Sequence, residues 1–277
     1  MLLELLKVVF LAIVEGVTEF LPVSSTGHLV VLSRFIELGE SYRHTFDIFI
    51  QLGAVVAVLV FYRAELLAQI RATPTNPKIQ NFWLKILIAF IPSAAIGFLL
   101  GDWIEENLFN SLNVALALIA GGILFIVVER FRPSPPEDKT RPEILEDAQD
   151  ITYLQALLIG LWQIIALFPG MSRSGMTIMG GILSGVKRAT ATLFTFYLAI
   201  PTLGIATIYT LIKNIDDIAP GDLLYLLVGT VVAGIVAYLT IGWLLRYVSR
   251  NTFIPFGVYR IVLGLLIIVM LAAGVLK

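Results

Sequence analysis

The 277-residue sequence has no cysteine, only two histidines and few charged residues. Without cysteine the chain forms no disulfide, carries no thiolate nucleophile and offers no thiolate metal site. Two histidines are too few for a zinc site built from histidine ligands. The net charge of −1 gives no basic surface for DNA or RNA, so we expect no nucleic-acid partner.

Only 14% of the residues are charged, against roughly 25% in soluble proteins, and 58% are hydrophobic. Eleven of the charges lie between Glu129 and Asp150. Elsewhere the chain has long uncharged runs, at 86–101, 151–172, 189–212 and 223–245. Because a helix needs about 20 apolar residues to cross the hydrocarbon core, the sequence predicts an all-α polytopic membrane protein.

Six segments are predicted to be transmembrane helices, at about 45–62, 83–101, 112–129, 189–212, 222–245 and 254–276. Two more apolar stretches, 1–36 and 151–186, are interrupted by Pro22 and by Pro169-Gly170. Proline ends or kinks a helix, and the freed backbone groups must be buried in protein or line a wet cavity. We therefore predict two re-entrant helical hairpins; the alternative is two long, kinked helices.

The distribution of Lys and Arg predicts the orientation of these helices. Lys and Arg are frequent in the connections 63–85, 130–150 and 246–253, which are predicted to be cytoplasmic. The connection 102–111 has neither, and 213–222 has one lysine among several aspartates, so both are predicted to lie outside. Both chain termini are then also outside.

The chain also divides into two similar halves. Residues 1–130 and 151–277 each contain one broken stretch and three crossings, and 131–150 is predicted to be a solvated cytoplasmic linker between them. An odd number of crossings per half predicts an inverted-topology repeat, an arrangement found in transporters whose broken helices meet near the midplane.

The first broken stretch carries ionisable residues in an apolar setting, where each costs about 3 kcal/mol on insertion scales. Glu15 and Glu19 are four residues apart and project from one helix face, where they repel unless a cation or a shared proton lies between them. His28 follows a short turn, whose hydroxyl and glycine residues are Ser24, Ser25, Thr26 and Gly27. The alternative is a solvated helix end.

The second broken stretch carries an arginine, Arg173, between Ser172 and Ser174, with Gly175 next. Its planar guanidinium suits phosphate oxygens, and a helix that restarts here would point free N–H groups at the same anion. The alternative is that Arg173 forms a structural ion pair with Glu19.

Two further residues are candidates for the site. Gln51 is predicted either to bind substrate or to bridge helices. Arg260, in the last crossing, is predicted either to supplement the phosphate site or to extend its charge towards the membrane surface.

The two turn motifs resemble a known family. Glu15-Gly-Val-Thr-Glu19-Phe-Leu-Pro-Val-Ser-Ser-Thr-Gly-His28 and Pro169-Gly-Met-Ser-Arg-Ser-Gly175 are similar to the signature motifs of undecaprenyl-diphosphate phosphatases, the bacitracin-resistance membrane phosphatases. The resemblance covers essentially the whole chain, including Ile50-Gln51-Leu52-Gly53 and Tyr259-Arg260.

This resemblance implies that the protein converts undecaprenyl diphosphate to undecaprenyl phosphate, which regenerates the carrier lipid for cell-wall synthesis. It implies a multi-pass protein of the bacterial inner (plasma) membrane, with an active site facing the extracytoplasmic side and a need for a divalent cation, Mg²⁺ or Ca²⁺. The expected partners are a polyprenyl diphosphate lipid, membrane lipids and, among proteins, a second copy of the chain in a homodimer.

The chemistry of a diphosphate distributes roles among these residues. Arg173 and the backbone amides of the second turn would clamp the phosphates, with Ser24, Thr26, Ser172, Ser174 and the glycines beside them. Glu15 and Glu19 would hold the cation, or Glu19 would orient the nucleophile, which is Ser25 or water. His28 is the candidate acid or base. The competing function is an inverted-repeat transporter or flippase of a prenyl phosphate lipid.

Overall fold

The computed structural model describes residues 2–38, 43–132, 139–213, 218 and 221–276, without the side chains of 43 and 44. Over this part of the chain it contains twelve α-helices and no strand. The helices are α1 (Leu2–Thr18), α2 (Ser25–Leu32), α3 (Arg43–Phe61), α4 (Arg63–Ala72), α5 (Pro77–Leu108), α6 (Ser111–Phe131), α7 (Arg141–Gln149), α8 (Tyr153–Ile165), α9 (Arg173–Leu183), α10 (Arg188–Lys213), α11 (Leu223–Arg250) and α12 (Ile254–Ala272).

Five helices are long and apolar enough to cross a bilayer: α5, α6, α10, α11 and α12. The pair α3 and α4, bent by 68° at the break between them, makes a sixth candidate when it is counted as one span. The prediction of an all-α, multi-pass membrane protein is therefore confirmed at the level of five to six spans.

The helices extend beyond the predicted crossings. At 1.5 Å per residue, the 32 residues of α5 extend over about 48 Å, longer than a hydrocarbon core of roughly 30 Å. The connection predicted at 63–85 is for the most part helical, since α4 and the first turns of α5 lie in it.

The linker predicted to be solvated at 131–150 contains a helix, α7, which is partly buried. Thr140 and Glu143 form a capping box at its start, and hydrogen bonds from the Thr140 hydroxyl and N–H lower the pKa of the Glu143 carboxyl. Ile144 and Ala148 are buried, and α7 packs on α10. Residues 133–138 of the linker lie outside the described part of the chain.

Close helix contacts at glycine hold the long helices together. A Cβ on Gly53 of α3 would lie 2.2 Å from the carbonyl oxygen of Thr230 of α11. On α6 and α12, Gly122 and Gly257 face each other, and a Cβ on either would lie 2.6–2.7 Å from the partner's carbonyl oxygen. Small residues allow such approach in membrane proteins, where packing replaces the hydrophobic effect between helices.

The two interrupted stretches are each a pair of helices joined by a turn, α1 with α2 and α8 with α9, at the predicted positions. The second pair lies deep in the protein. Every residue from Ser174 to Ile182 of α9 is buried, packed against α8, α10 and α6. The start of α9 is consequently held inside the bundle, facing the turn after α1.

Candidate functional site

The two turns start their second helices in the same way. Ser24 and Ser172 are the helix N-caps, and both have φ 70°, the only positive φ angles of non-glycine residues in the described chain. The Ser24 hydroxyl accepts a hydrogen bond from the N–H of Gly27 at 3.3 Å, and that of Ser172 from Gly175 at 3.1 Å. Strained backbone of this kind is common where a site must be held in one geometry.

The first residue of each of these helices contacts one carboxylate, that of Glu19. Ser25 Oγ donates to Glu19 Oε2 at 2.7 Å, and Arg173 Nη2 donates to Glu19 Oε1 at 3.2 Å. Arg173 also donates to the carbonyl of Thr195 at 3.4 Å and lies 5.8 Å from the ring centroid of Phe20. Its buried Nε has no partner in the part of the chain that the structure describes. The two turns therefore meet at a group formed by Ser25, Glu19 and Arg173, in which the Nε of Arg173 remains an unused donor among the described residues.

A cavity of about 150 Å³ opens onto this group. The predicted site residues that line it are Glu19, Ser24, Ser25, Thr26, Gln51, Ser172 and Arg173. Gln51 comes from α3, and its place in the lining fits the substrate-binding alternative better than a bridge between helices.

Part of the cavity wall was not predicted. It consists of apolar residues, Phe109, Ala166, Leu167 and Leu203. Ala166 and Leu167 directly precede the second turn, so their place in the sequence could have predicted that they lie beside the site. Phe109 and Leu203 are distant in sequence and carry no chemical signal, since only the fold brings them to the turns.

Glu15 lies outside the cavity lining. Its side chain is fully buried, and neither carboxylate oxygen has a hydrogen-bond partner among the described residues. It is within electrostatic range of the carboxylates of Glu19 and Asp47. Burying an ionised carboxylate without a partner is costly, so this position calls for a compensating charge or a proton.

The structure does not bring His28 to the cavity. Its Nδ1 lies 2.8 Å from the carbonyl oxygen of Ser24, and its Nε2 lies 2.6 Å from the hydroxyl of Tyr259, on which the imidazole ring stacks. Both ring nitrogens are therefore engaged away from Glu19 and Arg173. This geometry suits a residue that positions the first turn.

Arg260 is fully buried, so the prediction that it extends towards the membrane surface is wrong. Nor does it line the cavity. Its guanidinium donates to the carbonyl oxygens of Pro22 at 3.3 Å and Gly170 at 3.0 Å, one from each turn. It also contacts the carbonyl oxygens of Ala117 and Leu118 on α6. Arg260, which belongs to α12, thus links both turns to α6.

The remaining predicted residues have packing roles next to the cavity. Ser174 Oγ donates to the carbonyl of Leu21 at 3.1 Å, which joins the second hairpin to the first turn. Gly27 packs against Leu118, and a Cβ on Gly175 would lie 2.9 Å from the ring of Phe125. A side chain at either position would require its neighbour, Leu118 or Phe125, to shift.

A family model, bacitracin resistance protein BacA, matches residues 8–266 of the chain. The chain belongs to this family. It is 40% identical over 273 residues to an undecaprenyl-diphosphatase of Thermoanaerobacter sp. (strain X514), with 99% of each chain covered. It is 42% identical to that of Neisseria meningitidis serogroup C (strain FAM18), covering 98% and 97%, and 43% identical to that of Lactiplantibacillus plantarum, covering 96% and 98%.

The residues around Glu15 and Glu19 can be compared with what a divalent cation requires. No group of three or more His, Asp or Glu side chains suited to a metal occurs in the described residues. Mg²⁺, however, is often held by one or two carboxylates, with water and substrate phosphates completing its shell. The unpaired oxygens of Glu15 beside Glu19 fit that arrangement.

Proposed function

We propose that this BacA-family protein is an undecaprenyl-diphosphate phosphatase, which hydrolyses undecaprenyl diphosphate to undecaprenyl phosphate and inorganic phosphate. The observation that carries the proposal is the Glu19 carboxylate, bonded at once to the Ser25 hydroxyl and the Arg173 guanidinium beside a small cavity. A hydroxyl bonded to a carboxylate base is an activated nucleophile, and arginine binds phosphate oxygens. The names of the relatives agree with this chemistry.

In the proposed reaction, Ser25 Oγ attacks the terminal phosphorus while Glu19 takes the hydroxyl proton. The bond from that phosphorus to the bridging oxygen breaks, and undecaprenyl phosphate leaves. Water then attacks the phosphorus of the phosphoserine, and the bond from phosphorus to Ser25 Oγ breaks. The proton held by Glu19 returns to Oγ, which restores the Ser25 hydroxyl and the Glu19 carboxylate as inorganic phosphate leaves. Arg173 holds the phosphoryl oxygens in both steps, where their charge is greatest. The prenyl end would lie against the apolar part of the cavity wall, which includes Phe109 and Leu203.

Glu15 and Glu19 are the residues proposed to hold Mg²⁺ or Ca²⁺. When bound, such a cation neutralises part of the negative charge of the diphosphate. Its presence would also account for the buried carboxylate of Glu15, whose oxygens find no hydrogen-bond partner in the described ranges.

We propose the finer architecture as well: six crossings and two re-entrant hairpins, with 1–130 and 151–277 as inverted repeats joined by 131–150. The support is the match between the turns, since Ser24 and Ser172 share the same φ and the same cap to a glycine three residues on. Inverted repeats bring two such turns face to face at the midplane.

The location proposed is the bacterial inner (plasma) membrane, with the cavity facing the extracytoplasmic side. Asn107 and Asn76 provide a matched test because both are exposed and lie at opposite ends of α5. In the naturally cysteine-free chain, a cysteine at position 107 should react with an impermeant maleimide on intact cells, and one at 76 only after lysis. Equal labelling of both would contradict the orientation.

The function itself is tested with pure protein in detergent, by measuring phosphate released from undecaprenyl diphosphate. We expect release in Mg²⁺, loss of release in excess EDTA, and no release by Glu19→Gln. The same protein in vesicles tests the competing function. Movement of the lipid driven by an ion gradient, without phosphate release, would replace the enzyme by a transporter.

A further inference from the structure

A second and larger cavity, of about 420 Å³, lies at the C-terminal ends of α3 and α11, beside the start of α7. It shares no lining residue with the first cavity. Its volume falls within the roughly 300–1,000 Å³ of small-molecule pockets. In the proposed orientation, which follows the distribution of Lys and Arg, this end of the bundle faces the cytoplasm.

The polar side of the cavity is basic. Lys139, Arg141 and Arg246 line it, and no acidic residue is among the described residues of its wall. Arg141 pairs with Glu65 at 2.7 Å, and Lys139 pairs with Asp147. Arg246 differs from both.

Arg246 has no carboxylate partner within the described residues; its Nε donates only to the carbonyl of Gly242, one turn earlier. The rest of the guanidinium fork is free to bind two oxygens of an anion. The cavity therefore has an excess of positive charge and one arginine with unused donors.

The other side of the cavity is apolar and continues onto the outer surface of α11. Tyr238 and Leu239 line it, and Leu239 is 63% exposed, as Ile235 one turn before it is 58% exposed. Trp243, also half exposed, stacks on Tyr247 with ring centroids 5.0 Å apart. Trp and Tyr are enriched at the headgroup level of membranes, so this part of α11 lies where headgroups meet acyl chains.

We propose that this cavity binds the headgroup of an anionic phospholipid from the leaflet at that end of the bundle. The phosphate would accept hydrogen bonds from Arg246 and Lys139, and the acyl chains would lie along Leu239 and Ile235. Basic pockets between transmembrane helices on the cytoplasmic side recognise lipid phosphates in this way. The site is independent of the proposed phosphatase chemistry.

The test is a lipid titration of the delipidated full chain, followed by native mass spectrometry. Phosphatidylglycerol and phosphatidylcholine with the same acyl chains are the probes. We expect one phosphatidylglycerol to bind at least about tenfold more tightly than phosphatidylcholine, the effect of one or two charge-assisted hydrogen bonds. Arg246→Ala should remove this preference. Arg250→Ala is the matched control, on the same helix and exposed but outside the lining, and should keep it.

Three results would overturn the proposal: equal binding of the two lipids by the parent, equal loss in the Arg246 and Arg250 variants, or displacement of phosphatidylglycerol by excess inorganic phosphate. The last would indicate a site for a free anion. Because Arg246 is exposed, its replacement should leave the melting temperature unchanged, and scanning fluorimetry of both variants checks this.

Discussion

Two buried ion pairs in this protein have the same composition and different surroundings. Glu129 and Arg188 make a bidentate pair at 3.0 and 2.8 Å, and Glu129 also accepts the N–H of Phe253. Glu19 and Arg173 share one contact at 3.2 Å, and the second oxygen of Glu19 accepts from Ser25. Within the described chain, Arg173 Nε has no partner.

The difference separates a structural pair from one that is open to a ligand. A buried charge pair with all its hydrogen bonds made gains little from any further partner and holds its elements rigidly. The first pair joins α6 to α10 and the start of α12 in this way. The second pair borders a cavity and keeps donors unused, so it has capacity for an anion.

The largest effect is expected when the second pair loses its carboxylate. Glu19→Gln keeps the shape of the side chain and removes the base for Ser25, so turnover should fall about 10³-fold or more. The melting temperature should stay close to that of the parent, because the pair is only partly bonded. Phosphate release and scanning fluorimetry of one preparation measure both. Turnover within about tenfold of the parent would remove Glu19 from the proposed mechanism.

The corresponding change in the first pair should have the opposite profile. Glu129→Gln leaves Arg188 buried without its counter-charge, which typically lowers the free energy of unfolding by about 3–5 kcal/mol. The turnover of the protein that remains folded should be near normal. Denaturant unfolding and turnover per folded molecule make the comparison.

A double variant, Glu129→Leu with Arg188→Met, serves as the control for charge burial. Because apolar pairs of similar size often replace buried ion pairs at little cost, it should be more stable than Glu129→Gln. If the single variant instead loses activity without losing stability, the distinction between the two pairs is wrong.

The contrast between the pairs was only partly predictable from sequence. Prolines and hydroxyls in apolar runs identify the two turns, and Glu19 and Arg173 stand out because charge is rare there. The Glu129–Arg188 pair was not foreseen, since both residues lie at the ends of apolar runs, where solvated charges are ordinary.

Arg260 and His28 show where sequence reasoning reaches its limit. The partners of Arg260 are main-chain carbonyls, including those of Pro22 and Gly170. Because every residue has a main-chain carbonyl, the sequence does not reveal which ones a buried arginine binds. His28 contacts Tyr259 across 231 positions of sequence. Because His28 follows the first turn, the sequence predicted a catalytic role for it. The direction of its side chain, however, depends on how α12 packs against the turn.

A third variant, Arg173→Lys, keeps the charge of the Glu19–Arg173 pair but changes its hydrogen-bond geometry. If Arg173 clamps the diphosphate, Arg173→Lys should lower turnover by roughly a few hundredfold, about 3–4 kcal/mol, because an ammonium lacks the planar fork. Stability should change little, since lysine still pairs with Glu19. Initial rates at saturating substrate measure the effect. Activity within about threefold of the parent would show that Arg173 serves only as a partner of Glu19.

The smallest effect is expected on stability, from the strained backbone at the turns beside the Glu19–Arg173 pair. Ser24 has a φ of 70°, which costs of the order of 1–3 kcal/mol in a residue with a Cβ. Ser24→Gly relieves this strain and loses a few tenths of a kcal/mol as a cap, whereas Ser24→Ala keeps the strain and loses about 1 kcal/mol. Glycine also loses about 0.5–1 kcal/mol more backbone entropy on folding than alanine. We therefore expect the glycine variant to be more stable than the alanine variant by about 1–3 kcal/mol, and Ser172 to behave alike.

Ser184 is the matched control for this prediction. It ends α9 with an ordinary φ of −82°, so glycine there should be no better than alanine. The measurement is the unfolding midpoint of six variants, with glycine and alanine at each of Ser24, Ser172 and Ser184. Glycine that outperforms alanine at Ser24 and Ser172 but not at Ser184 would show that conformational strain is concentrated at the turns that hold the Glu19–Arg173 pair. Equal values at all three positions would mean that the turns hold that pair without strain.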